Sequence, residues 1–250
     1  MITDQQDIQP FAQKWLALWP EQNILINFLP SAKRPIVLAW LCLLFELQDC
    51  VFALEHEPVR EQKSLWWSQE LHGMQKQAAQ HPLTHALQHL PVSFGELAQP
   101  VLQVAQQIPI RASNTQDLFF RLQPLSSCIA KLEKQLFGGA LSTHQAISMQ
   151  LLLMRLPHGM HAFDRAIIPM HLLARHQSLE QIRNEQALLH DWLTEIATMI
   201  PAQHSGNGFR EAQTRFSQRR VKQLQSQKSP HIQLGHAWDA WRSMRCHPRI

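Results

Sequence analysis

The stretch PIVLAWLCLLFELQDCVFAL, residues 35–54, decides the fold class because it predicts a helix that is apolar on nearly all sides. Pro35 lies at the start of this predicted helix, and proline is tolerated in the first turn of a helix. A helix with apolar residues around most of its circumference is surrounded by other elements of the protein. The sequence therefore predicts a buried central helix that continues through Glu46 and Asp49 to about Leu54.

Other helical segments, punctuated by Pro and Gly, lie on both sides of this stretch. The chain has only 8 glycines among 250 residues and is rich in Leu, Ala and Gln, which favours an all-α protein over a sheet. We expect one all-α domain over residues 1–250, a bundle of about ten helices, with an N-terminal helix in 1–27 and basic helices in 209–250. Further helices are predicted at 93–107, 115–136, 143–156, 166–176, 178–199, 209–227 and 235–245.

The cysteines and the N-terminus predict a cytoplasmic protein. Cys42, Cys50, Cys128 and Cys246 show no Cys-x-x-Cys spacing, so core packing is favoured over metal binding or a disulfide. The first residues, MITDQQDIQPF, are acidic and polar, unlike a signal peptide. The continuous apolar run Pro35–Phe45 is shorter than the about 20 residues that span a bilayer, so no transmembrane helix is predicted.

Basic residues are concentrated in the last fifth of the chain. Residues 201–250 contain nine Lys and Arg against Glu211 and Asp239. Such a segment can contact anionic lipid or an acidic partner, or it can be a solvated helix face. Trp238 and Trp241 with the arginines beside them are typical of an interfacial anchor, so membrane association is one expectation. The aromatic interleaving that nucleic-acid binding favours is missing, and no nucleic-acid partner is predicted.

Three segments of the chain resemble the squalene/phytoene synthase family, whose members condense isoprenoid diphosphates. Together with two regions that correspond to the Asp-rich motifs of the family, these segments cover the middle two-thirds of the chain. The segments are Phe28-Leu29-Pro30 with Arg34, Lys63-Ser64-Leu65-Trp66-Trp67 with Glu70-Leu71, and His81-Pro82-Leu83-Thr84 with Ala86-Leu87. The resemblance implies an isoprenoid-synthase-like fold, in which Asp pairs on two helices hold Mg²⁺ ions that bridge to the substrate diphosphates.

The first Asp motif of the family is incomplete in this sequence. The family has Asp near positions 45 and 49, whereas this chain has Phe45 and Asp49. Glu46 lies one turn before Asp49, and the two carboxylates could together form one half of the Mg²⁺ site. An ion pair of Asp49 with Arg34 or Lys63 is the other interpretation, because a buried carboxylate needs a partner.

The second Asp motif is lost. Gln150 and Arg155 match the family pattern, but its two Asp positions fall on Leu156 and Met160. Hydrocarbon and thioether side chains do not bind a hard cation such as Mg²⁺. Arg155 could bind a phosphate by bidentate hydrogen bonds or form a structural ion pair.

The resemblance therefore implies a catalytically degenerate member of the family, similar to its non-catalytic branch that assists assembly of respiratory complex I. We expect a binding or assembly factor, with a protein partner or with an isoprenoid or lipid ligand. Its apolar cavity is either retained or filled by bulky side chains. The alternative is an active prenyltransferase that uses Glu46 and Asp49 as Mg²⁺ ligands.

The candidate site residues follow from the resemblance. Arg34, Gln150 and Arg155 are expected to face a diphosphate. The cavity-lining candidates are Phe45, Trp67, Leu156 and Met160. No cofactor and no resident metal are expected, with Mg²⁺ required only by the alternative; a zinc site at His85 and His89 is disfavoured because the chain has no HExxH pattern.

Overall fold

The computed structural model describes residues 7–52, 56–154, 156, 167–176, 181–200, 207–226 and 231–246. Over these residues the chain forms twelve α-helices and two short 3-10 helices and no strand, which confirms the predicted all-α class. The helices are α1 (Gln9–Leu18), α2 (Glu21–Phe28), α3 (Arg34–Phe52), α4 (Glu57–Gln75), α5 (Pro82–Leu87), α6 (Ala98–Gln107), α7 (Thr115–Phe137), α8 (His144–Leu153), α9 (Met170–His176), α10 (Gln181–Thr198), α11 (Gly208–Gln225) and α12 (Leu234–Cys246).

Helix α3 is the centre of the fold, as its sequence predicts. Most of its side chains are buried, and it contacts α1, α2, α4, α5 and α6. The segment Ser31–Phe52 is long and apolar enough to cross a membrane, contrary to the expectation from the shorter run Pro35–Phe45. Since most of this segment is packed inside the protein, its role as the core helix accounts for its composition.

The last helices pack against the first ones. Helix α11 contacts α8, α10 and α12, and α12 contacts α2 as well. Arg220 of α11 donates to both carboxylate oxygens of Glu21 in α2, at 2.9 and 3.1 Å, and both side chains are buried. The guanidinium also lies 3.8 Å from the ring centroid of Trp19. These contacts join the two ends of the chain in one core.

The helices near the N-terminus differ from the prediction, whereas the end of α7 agrees with it. The sequence predicts one N-terminal helix within residues 1–27, whereas the structure has two helices, α1 and α2, and Pro20 stands directly before α2. Proline fits the first turn of a helix because the N–H that it lacks has no partner there. Gly138 follows the last residue of α7 with φ of 70°, so the predicted end of that helix is confirmed.

Candidate functional site

Among the described residues, at least one from each segment that resembles a metal motif of the family reaches a shared cavity in the core. Phe45 of α3 and Gln150 of α8 line the same internal cavity, whose volume is about 10 Å³. A cavity of this size holds about one water molecule. The Phe45 ring stacks on Trp15 of α1 at 4.9 Å, and its centroid lies 5.9 Å from that of Trp19. Aromatic packing therefore fills the place that the resemblance assigns to the first carboxylate.

Glu46 faces α1 and is compensated there. One of its carboxylate oxygens accepts hydrogen bonds from the Lys14 ammonium at 2.9 Å and from the Trp15 indole N–H at 3.0 Å. The carboxylate is buried while Lys14 reaches solvent. A negative charge in this position is stabilised by the cation and by a donor that would otherwise be buried without a partner.

Asp49 pairs with α4. The Lys63 ammonium lies 3.5 Å from one of its carboxylate oxygens, and both groups are partly exposed. Of the two ion pairs weighed from the sequence, the structure therefore contains the one with Lys63. Arg34 instead donates to the main-chain oxygens of Leu29 at 3.0 Å and Asn27 at 3.1 Å, and so binds carbonyls that the end of α2 leaves unpaired.

Gln150 belongs to a chain of buried polar side chains that connects α2, α7, α8 and α11. Its carboxamide donates to Gln213 at 3.0 Å and accepts from the guanidinium of Arg210. Gln213 in turn exchanges hydrogen bonds with Gln22 of α2. Arg210 forms an ion pair with Glu133 of α7. The side chain of Gln150 is thus engaged with protein groups on both sides.

This polar chain is the main feature that sequence reasoning missed. Arg210 was counted only as one cation of a basic segment, and its partner Glu133 is 77 positions away. A signal was present at Glu133, because it follows the apolar face formed by Leu122, Leu125 and Ile129. A carboxylate on the buried face of a helix requires a buried partner.

The remaining candidates are distributed as follows. Leu156 is buried, and its main-chain N–H donates to Leu153 at 2.9 Å. Trp67 is buried against His81, with ring centroids 4.9 Å apart, and is not among the residues that line the cavity beside Phe45. Arg155 and Met160 lie outside the described residues.

The basic helix α11 turns most of its described cations towards carboxylates. Arg210 and Arg220 form the buried pairs with Glu133 and Glu21. Arg215 pairs with Glu211 one turn earlier, and Arg219 pairs with Asp239 of α12. The positive charge of α11 is therefore mostly compensated within the protein, unlike the solvated basic face that its sequence allows.

Metal ligands do not converge in the described part of the chain. No group of three or more His, Cys, Asp or Glu side chains there has the arrangement of a metal site. His85 and His89 have ring centroids 5.9 Å apart. The absence of a resident metal or cofactor stays a prediction.

No protein-family model, curated protein or solved structure matches this chain. The likeness to the squalene/phytoene synthases therefore depends on the motif residues themselves. The structure establishes the all-α class.

Proposed function

We propose that this protein is a non-catalytic relative of the squalene/phytoene synthases that acts as a binding or assembly factor through its surface. The observation that carries the proposal is the cavity of about 10 Å³ between Phe45 and Gln150. Ligand pockets in proteins occupy roughly 300–1,000 Å³. An isoprenoid diphosphate does not fit between these side chains.

The ion pairs made by the carboxylates of α3 support the same proposal. Glu46 and Asp49, the two carboxylates available to the alternative, are paired with Lys14 and Lys63. Binding of Mg²⁺ would require both lysines to withdraw, and for Glu46 it would also leave the Trp15 indole without its acceptor. Two diphosphates bring several negative charges, which need more compensating cations than one carboxylate pair can hold.

The test is a direct assay of prenyl diphosphate turnover. The purified chain is incubated with Mg²⁺ and farnesyl or geranylgeranyl diphosphate, and released pyrophosphate is compared with a heat-killed control. We expect no release above that control, and no shift of the melting temperature with a thiolated prenyl diphosphate analogue. Pyrophosphate release that disappears in Asp49→Asn, with the melting temperature unchanged, would establish the active prenyltransferase instead.

A further inference from the structure

Helix α12 is amphipathic, but its small and polar side faces the protein core and its apolar side faces solvent. Its buried face is formed by small and polar residues: His236, Asp239, Ala240 and Ser243. Its outer face carries Leu234, Trp238 and Trp241, whose exposed fractions are 93%, 58% and 37%. Most helices at a protein surface bury their apolar stripe and expose their polar one. The outer face of α12 therefore has the composition of a contact surface.

The exposed side chains form one continuous stripe. Residues advance by about 100° per position around a helix, which places Leu234, Trp238, Trp241 and Arg245 within one narrow sector. The two indole rings touch, with centroids 4.9 Å apart, and the Arg245 guanidinium lies 5.1 Å from the Trp241 ring. Ile232, just before the helix, is half exposed as well.

The charge on this face is positive. The one acidic residue of α12, Asp239, points inward and pairs with Arg219 of α11. Arg219 packs closely over Gly235, where a Cβ would lie within 2.5 Å of the guanidinium nitrogens. Arg242 and Arg245 remain on the exposed side, next to the tryptophans. The face therefore combines two indoles and a leucine with two cations and no acid from its own helix.

We propose that the outer face of α12, defined by Leu234, Trp238, Trp241, Arg242 and Arg245, docks the protein on an anionic lipid surface. Tryptophan rings are favoured at the level of lipid headgroups, where their apolar area is buried and the indole N–H stays hydrated. Each arginine beside them increases the affinity of the protein for an anionic lipid surface about fivefold. This inference does not depend on the proposed loss of catalysis.

The test is co-sedimentation of the full chain with vesicles of phosphatidylcholine alone or with 30% phosphatidylserine. We expect binding to the anionic vesicles that weakens in high salt. The double variant Arg242→Gln/Arg245→Gln is expected to bind about twenty-five-fold more weakly, and to lose most of its preference for phosphatidylserine. Trp238→Ser/Trp241→Ser should bind at least about tenfold more weakly to either vesicle.

Two matched controls make the result specific to this face. Trp66→Ser removes another exposed indole, on α4, and Lys222→Gln removes an exposed cation of α11; neither should change vesicle binding. The melting temperature of each variant verifies folding, since all the substituted side chains are solvent-exposed. Equal binding to neutral and anionic vesicles, or wild-type binding by the tryptophan variant, overturns the proposal. A dimer in light scattering that the tryptophan variant dissociates also overturns it, because a second copy then covers this face.

Discussion

Arg210 of α11 and Glu133 of α7 form an ion pair although only 2% and 0% of their side chains are exposed. The guanidinium Nε donates to Glu133 Oε2 at 2.7 Å, and the Trp40 indole of α3 donates to Oε1 at 3.2 Å. Asn207 caps α11 by accepting from the Arg210 main-chain N–H at 2.8 Å, and it also donates to the Glu133 carbonyl. Three helices are thus joined at one carboxylate.

Removal of one partner of this pair should be strongly destabilising. Arg210→Met leaves Glu133 as an uncompensated buried carboxylate, and Glu133→Gln leaves a buried cation. We expect each to lower the free energy of unfolding by about 3–5 kcal/mol. Urea unfolding, followed by far-ultraviolet circular dichroism, measures this change.

The double variant separates charge burial from packing. Arg210→Met with Glu133→Gln removes both charges, so its cost should be well below the sum of the two single costs. The control is Arg215→Met. It removes the partly exposed ion pair between Arg215 and Glu211, which should contribute less than about 1 kcal/mol to the free energy of unfolding. A cost for Arg210→Met as small as that of the control would contradict the buried pair.

The two carboxylates of α3 should respond differently to substitution. Glu46→Ala leaves the buried Trp15 N–H without an acceptor, at a cost of about 1–3 kcal/mol, whereas Glu46→Gln keeps a side-chain oxygen and should cost less. Asp49→Ala removes only a partly exposed pair with Lys63, worth less than about 1 kcal/mol. Urea unfolding of the three variants gives this order, and a larger cost at position 49 would refute it.

The sequence is informative about α3 and less so about its surroundings. Residues 35–54 predict a buried helix from composition alone, because few residues in that stretch could face water. The start of α2 after Pro20 is ambiguous, since proline both ends one helix and fits the first turn of the next. Local composition and the positions of prolines therefore predict the class of the fold, but they do not determine the residue at which each helix begins or ends.

The candidate site is predictable only in part, for a similar physical reason. The motif resemblance predicts that Phe45 and Gln150 lie on facing helices, and both line one cavity in the structure, while the family assignment itself stays a prediction. The partners of Gln150 come from α11, far along the chain, and long-range pairing of polar side chains leaves no periodic signal. Arg210 and Arg242 look equivalent in the sequence, yet one is buried in an ion pair and the other is exposed.

Two buried thiols should resist alkylation. Burial raises the pKa of Cys42 to about 12, with a further contribution from the nearby charge of Glu46, and burial likewise raises the pKa of Cys128 to about 12. At pH 8 the thiolate, which is the reactive form, is present at about one part in ten thousand at either position. Mass spectrometry after brief iodoacetamide treatment should find both unmodified in the native protein and modified in urea. Rapid native labelling of either thiol would show that its helix opens readily.

The free energy of unfolding should decrease as the pH falls below about 6.5, the ordinary pKa of histidine. Burial lowers the pKa of His81 and that of His236 in the folded protein, despite opposing effects of nearby carboxylates. The unfolded chain then binds protons before the folded chain does, so acid favours unfolding in this window. His81 also caps α5: its Nδ1 accepts from the Leu83 N–H at 3.2 Å, which a protonated ring cannot do.

His81→Asn tests this prediction at one position. Asparagine also accepts a hydrogen bond at a helix N-cap but does not titrate, so α5 keeps its cap at every pH. Urea unfolding at pH 8, 6.5 and 5 should show a smaller loss of stability towards pH 5 in the variant than in the wild type. The comparison at pH 8, where the imidazole is neutral, gives the cost of substitution alone. Parallel pH profiles would mean that protonation of His81 contributes little to the loss of stability and that other groups govern the acid response.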